Sequence, residues 1–489
     1  MKFLILYISI LISLHSYSQT FNNTIDVDNN IQGFHDILYT DSIIFCSGWN
    51  HEPGVQQSIL VSGFQLNGDE SIQQYFGNPD YNHTENRLIQ INDSLIALFG
   101  NQDIDPIENP LNNDIVILIF KKDGELISEQ SYGDENVAEA VKSIMYYSDT
   151  IYITGFYADL IESHTVTFLW LFSPTGDSLA LFSYGHPVWN FIGNKIIRAQ
   201  NGDFLIAGYA NDNFEYDRLL LRIAPNGDLL WYQIYPGVDD FPGTYDVFNS
   251  MIELEDNSIL LAGRFTDNDD DLDANLVKVD ADGNIIWDML YGEYNSNAFE
   301  ELDIRNDTVF IGGSTISGIP SGYVDAWITA MDTAGNTYWS HTYNPDGIPD
   351  NAADDYLYDF TLTGDGGMAF CGWSRRETQD AWVMKLDANG LCDTASCFPD
   401  LVNIYPNVMQ GNPTPRLYPN PADDFIFIQS AMNKNVVVQI INMQGSLVLE
   451  TMLDGNITSL NITHLPAGIY AARFITEGEF FGDQKFVVE

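Results

Sequence analysis

The chain has 489 residues, of which 45% are hydrophobic and 13% aromatic, enough to bury a core and to exclude wholesale disorder. Its 19 Lys and Arg face 69 Asp and Glu, for a formal charge of −50. Neutralising phosphate needs cations, so nucleic acid is excluded as a partner, and an anionic membrane surface would repel the chain. Gly-rich turns, many tyrosines and few charges point to an all-β protein.

Residues 1–18 read as a signal peptide. Lys2 supplies the positive start, Phe3 to Leu14 is an apolar run too short for a bilayer span of about 20 residues, and Ser16-Tyr17-Ser18 places small residues before Gln19. This implies export to the periplasm by the Sec route. Nothing later resembles a transmembrane segment.

From residue 43 onward one pattern recurs seven times: an apolar run ending in Gly, a polar loop, a second apolar run and a tight turn. The first run reads Ile43 to Gly48, Leu95 to Gly100 and Ile151 to Gly155. It returns as Phe204 to Gly208, Ile259 to Gly263, Val309 to Gly313 and Met368 to Gly372. Successive glycines lie 50 to 59 residues apart, close to the length of a four-stranded propeller blade. The second run turns through motifs such as Lys122-Asp123-Gly124 and Asp280-Ala281-Asp282-Gly283. The strand after the turn ends in an aromatic plus Gly, as at Tyr132-Gly133, and a short strand such as Val141 to Tyr147 follows. No amphipathic helix intervenes, which excludes a parallel α/β fold.

The seventh repeat loses its fourth strand at Leu391-Cys392-Asp393, while Thr20 to Asp28 precedes the first repeat. The N-terminal strand is therefore expected to fill the missing edge and remove it from solvent. The expected fold is a seven-bladed β-propeller over residues 19–398, then a Pro-rich linker at 399–415 and a small C-terminal β-sandwich at 416–489.

Three turn glycines are followed four residues later by Trp: Gly227 by Trp231, Gly283 by Trp287 and Gly335 by Trp339. This resembles the tryptophan-docking repeat of quinoprotein-like bacterial propellers. The resemblance implies blade architecture, with the Trp packed between neighbouring blades.

The tail carries Leu417-Tyr418-Pro419-Asn420-Pro421, Ile440-Ile441-Asn442-Met443-Gln444-Gly445, Leu465-Pro466-Ala467-Gly468-Ile469-Tyr470 and Lys485-Phe486-Val487-Val488. In this order and spacing the motifs resemble the type A C-terminal sorting domain of the type IX secretion system. The resemblance covers residues 416–489. It implies a small β-sandwich that engages the secretion machinery, and a protein that ends outside the cell or on its outer surface.

Catalytic chemistry is not legible. His35, His51, His83, His164, His186, His341 and His464 are scattered, with no HExxH, nucleophile elbow or phosphate-cradling glycine loop. No catalytic or cofactor-binding residue is therefore assigned. Asp267, Asp269 and Asp271 alternate as calcium ligands do, but Leu272 and Lys278 stand where an EF-hand needs Gly and Glu. A less regular calcium site and a solvated acidic loop both remain open there. The Asp-Ser and Asp-Thr pairs, such as Asp149-Thr150, fit hairpin turns and resemble O-glycosylation sites of bacteria that use this secretion route. Cys46 and Cys371 read as small buried hydrophobes, while Cys392 and Cys397 are close enough for a small-loop disulfide. The sequence thus favours a non-catalytic extracellular protein that binds a glycan, a protein or a matrix component. The alternative is an extracellular propeller enzyme, polysaccharide-acting or quinoprotein-like.

Overall fold

The computed structural model describes residues 19–488 apart from short segments, the longest being 104–112, 238–244, 346–352 and 393–399. The signal-peptide region, Asp267 to Asp271 and Cys397 lie outside the described residues. Among those described there are strands and turns but no helix, and none is long and apolar enough to cross a membrane. The chain divides into two compact units, residues 1–276 with 292–405 and residues 277–291 with 406–489.

Among the described residues seven antiparallel sheets follow one another, each built on four strands, with a fifth strand added at the edge of two of them. Their first strands are Ile31–Thr40, Asn82–Gln90, Val137–Tyr147, Asn190–Arg198, Val247–Glu253, Ala298–Arg305 and Asp354–Leu362. The first six sheets take four consecutive strands, as the repeat requires. The seventh has three of its own, and Phe21–Ile25 pairs antiparallel with Gln379–Leu386 to complete it. The donor edge left by the degenerate repeat is thus covered by the N-terminus, as expected from the sequence. Phe21 anchors that strand in a core shared with Phe34, Phe64 and Cys371 of the first and seventh sheets.

The cores lie between successive sheets rather than within one. Phe45 and Val61 of the first sheet pack with Leu98 and Leu118 of the second. Phe99 and Ile117 of the second pack with Ile153 and Phe168 of the third. Phe310 and Ile328 of the sixth pack with Phe370 and Trp382 of the seventh. Trp339 lies against this last core, and its ring occupies the space a Cβ at Gly390 would need, so it does pack between neighbouring sheets. Fully burying such side chains stabilises by roughly 1.5–3 kcal/mol each.

The Pro-rich segment is more structured than its composition suggests. Asp400–Leu401 pairs with Thr337–Tyr343, and Asn407–Gln410 pairs with Ile285–Tyr291. An open sheet edge offers unpaired donors and acceptors to any extended neighbour, and this outweighs the local tendency to stay loose. Cys46 and Cys371 are buried free thiols, and Cys392 is disulfide-bonded.

The C-terminal residues form a sheet of three strands, Arg416–Tyr418, Phe425–Gln429 and Ile457–Asn461, and a sheet of four containing Val436–Asn442 and Gly468–Thr476. Ile426, Ile428 and Leu460 of one share a core with Val438, Ile440, Phe474 and Phe486 of the other.

Candidate functional site

Every first strand carries a β-bulge. The extra residue is His35, Glu85, Lys142, Asn194, Asn249, Glu300 or Tyr358. In six sheets the residue before it pairs with the repeat glycine: Phe34 with Gly48, Val141 with Gly155 and Leu357 with Gly372, for example. This accounts for the glycine. The bulge drives a carbonyl into the space of a side chain, so a Cβ on Gly48, Gly155 or Gly372 would lie 1.8 Å from a backbone oxygen. The second sheet departs from the rule. Gly100 pairs with Asn86, after the bulge; Glu85 takes φ 32°, and a Cβ on Gly100 would meet nothing closer than 3.3 Å.

A bulge turns two successive residues to the same side of a strand. Here the second of each pair ties the sheets together. Asp36 accepts the N–H of Leu88 at 2.7 Å, Ser143 that of Ile196 at 3.2 Å and Ser250 that of Leu302 at 3.3 Å. Asp359 accepts the N–H of Ile37 at 3.1 Å, which links the seventh sheet back to the first. Asn194 donates to Phe248 O at 2.9 Å, Arg87 to Lys142 O at 2.7 Å and Leu357 N to Ser314 Oγ at 3.4 Å. Each sheet is thereby tied to the next, and the seventh to the first, with the sixth-to-seventh link made through Ser314 of the second strand.

The bulge residues converge on a cavity of about 660 Å³. Asp36, Glu85, Glu300, Glu301, Asp303 and Asp359 line it, with Arg87, Lys142, Lys195 and Arg264. Its charge is close to balanced, although the chain as a whole is far from it. Lys142 bonds both oxygens of Glu85, at 2.5 and 2.6 Å. Burial alone would raise that carboxyl, but Lys142 holds it below the ordinary range. Lys195 is 2.6 Å from Glu301, whose other oxygen accepts Ser250 at 2.6 Å. Despite burial, Glu301 and Asp359 keep the Lys195 ammonium above its ordinary value.

Asp36 and Asp359 meet at the seam of the cycle, hydrogen bonded to each other. Burial raises both, and the Asp36 charge raises Asp359 further. Burial likewise raises Glu300 and Asp303. His35 is pushed down to about 3 by burial, with Arg87 and Lys142 opposing its charged form, so its ring is neutral at any physiological pH.

Aromatic rings flank this polar centre on two sides. At the first and seventh sheets, Tyr358 stacks on His35 with centroids 4.7 Å apart, and His35 lies 4.5 Å from Trp49. Trp373 packs on Tyr356 at 4.5 Å and donates its indole N–H to the Tyr358 hydroxyl at 3.1 Å. At the fourth and fifth sheets, Tyr209 meets Tyr216 at 5.3 Å in a tilted pair, and Tyr216 stacks on Tyr245 at 4.5 Å. The Arg264 guanidinium covers Tyr245 at 4.6 Å. Trp49, Tyr209, Arg264 and Trp373 each stand directly after a repeat glycine and are half-buried where the five residues before them are buried.

Of the histidines singled out in the sequence, only His35 lines the cavity. His341 stacks on Trp339, and His83 fills the space beside Gly77. Among the described residues no group of three or more His, Cys, Asp or Glu is arranged to hold a metal ion. Sequence reasoning missed the site itself, because its members are spread over 330 residues. The usable signal was the residue after each repeat glycine, together with the charged pairs that interrupt the first strands: His35-Asp36, Glu85 with Arg87, Glu300-Glu301 and Tyr358-Asp359.

Residues 416–489 match the family model of the secretion system C-terminal sorting domain, as the tail motifs suggested. The chain therefore carries a sorting tail for export. No curated protein matches the chain by sequence. Its structural neighbours include a β-propeller domain. The β-propeller domain of the trilobed protease from Pyrococcus furiosus is 11% identical, with a TM-score of 0.36 over 72% of this chain and 97% of that one. The α-L-arabinanase of Penicillium chrysogenum is 11% identical, with a TM-score of 0.40 over 66% of this chain and 99% of that one. PorZ of Porphyromonas gingivalis, described as a surface component of the type-IX secretion system, is 11% identical, with a TM-score of 0.43 over 94% of this chain. The chain spans 59% of the PorZ structure. At these identities the neighbours assign no activity.

Proposed function

We propose that the chain is a secreted or surface-held seven-bladed β-propeller that binds a glycan in its central cavity without chemical turnover. On this reading the signal peptide at 1–18 takes it to the periplasm, and the sandwich at 416–489 is handed to the type IX machinery. The observation that supports glycan binding is that Tyr358, Tyr209 and Tyr245, each part of an aromatic cluster, line the same cavity as a dense polar network. Flat rings accept the apolar faces of sugars, and fixed carboxylates, amides and ammonium groups hydrogen bond to hydroxyls. Protein partners usually need a broader surface than a recessed cavity offers.

Titration calorimetry of the full chain against neutral and acidic oligosaccharides tests this. Binding should weaken at least ten-fold in Tyr209→Ala and in Tyr358→Ala. Unaltered affinity in both would place the ligand elsewhere, and absence of binding to every saccharide would end the glycan reading. Deleting 416–489 should leave the protein in the periplasm. One observation favours a second reading, an extracellular glycan-acting enzyme: the Asp36 and Asp359 carboxyls lie together in the cavity, and burial raises both, as suits a general acid. Reducing-end release abolished by Asp359→Asn would establish that reading over simple binding.

A further inference from the structure

Four cations line the cavity, and three are committed. Lys142 is paired with Glu85, Lys195 with Glu301, and Arg87 with Asp36 at 3.8 Å and two backbone carbonyls. Among the described residues, the Arg264 side chain has no ion pair or hydrogen bond. Its Nε is buried without an acceptor, and its guanidinium lies over the Tyr245 ring, 4.6 Å from the centroid, at the end of the tyrosine cluster. The acid nearest to it electrostatically, Glu300, is a poor counter-ion. Burial favours its neutral form, and one of its oxygens already accepts Asn249 at 2.9 Å.

Building on the glycan reading above, we propose that the cavity selects sugars bearing a carboxylate, with Arg264 as the anchor of that group and the Tyr209–Tyr216–Tyr245 cluster as the platform for the ring that carries it. A guanidinium presents parallel N–H groups that match a planar carboxylate in fork geometry, which an ammonium cannot reproduce. The contact with Tyr245 holds the guanidinium in place before the ligand arrives, so less side-chain freedom is lost on binding. A buried donor without an acceptor is costly in the empty protein, and an incoming carboxylate supplies the acceptor. The chain's charge of −50 works against unspecific capture of anions, so discrimination rests on Arg264, the uncommitted cation among the described residues that line the cavity.

The experiment is calorimetry on the full chain with trisaccharides of galacturonate, mannuronate and guluronate, their methyl esters, and a neutral trisaccharide. Esterification keeps the ring shape and removes only the charge. At least one acid form should bind ten-fold or more tightly than its ester. Arg264→Gln should erase that ratio, so that acid and ester bind alike, and Arg264→Lys should keep part of it. Circular dichroism of each variant, matched to the parent, confirms an intact fold. Equal binding of acid and ester in the parent, or a ratio that survives Arg264→Gln, overturns the role of Arg264 while leaving the glycan reading in place. Failure of every saccharide to bind overturns both.

Discussion

Gly372→Ala should destabilise the protein by roughly 2–4 kcal/mol, whereas Gly100→Ala should change stability by less than about 1 kcal/mol. The difference follows from the bulge. At Gly372 the new methyl carbon would sit 1.8 Å from the carbonyl oxygen of Tyr356 and 2.8 Å from its carbon, both backbone atoms that cannot rotate away. Relief requires the first strand of the seventh sheet to move off its neighbour by more than 1 Å, about 1.5 Å for a normal contact. That shift weakens one or two ladder hydrogen bonds worth about 1 kcal/mol each and adds an overpacking cost of about 1–3 kcal/mol. At Gly100 the nearest atom is the Cβ of Asn86 at 3.3 Å, so a few tenths of an ångström suffice. A loss of unfolded-chain freedom worth about 0.4–1 kcal/mol offsets that small strain. Urea unfolding of the two full-length variants, followed by near-ultraviolet circular dichroism and intrinsic fluorescence, measures both. If Gly100→Ala costs as much as Gly372→Ala, the repeat glycines are not there to admit the bulge, and the derivation of the cavity from the repeat fails.

Phe21→Ala should cost about 3 kcal/mol or more, because Phe21 is 4% exposed and is the main anchor of the strand that completes the seventh sheet; thermal unfolding reads it directly. Arg305→Ala should cost about 2 kcal/mol, since its guanidinium donates to the carbonyls of Thr363, Gly366 and Gly367 and so holds the adjoining sheet's turn; the lysine variant should recover only part in the same melting assay. Burial beside Asp114 pushes Glu139 up to about 8 from an ordinary 4.5. The fold therefore keeps a proton that the unfolded chain releases, and this contribution is complete below about pH 4.5 and lost as the pH climbs to 8. Glu139→Gln should flatten the fall in melting temperature between pH 5 and pH 8, and an unchanged slope would show that Glu139 does not carry it.

The repeat was legible because its physical cause is local. Gly48 and its six counterparts terminate apolar runs at a fixed interval, and the four-strand meander follows from the turns between those runs. The covering of the last sheet by Phe21–Ile25 could be inferred from a missing strand at one end and a surplus strand at the other. The sorting tail was legible as a set of motifs. The cavity was not, because no periodic signal reports which two residues of a first strand a bulge turns inward. Asp36 and Asp359 are 323 positions apart and meet only because the seventh sheet is hydrogen bonded to the first. The short strands at Asp400–Leu401 and Asn407–Gln410 escaped a composition argument for a similar reason, since the edges they cover lie far upstream in sequence.

The central claim is that the bulge residues and the residues after the repeat glycines form one glycan site. The most direct measurement is a crystal structure of the full chain soaked with an oligosaccharide it binds. Sugar density between the Tyr358 and Tyr245 groups, with a ring on the tyrosine cluster and a polar substituent at Arg264, is the expected result. Density confined to the outer edges of the sheets or to the C-terminal sandwich, with the cavity empty, would contradict it.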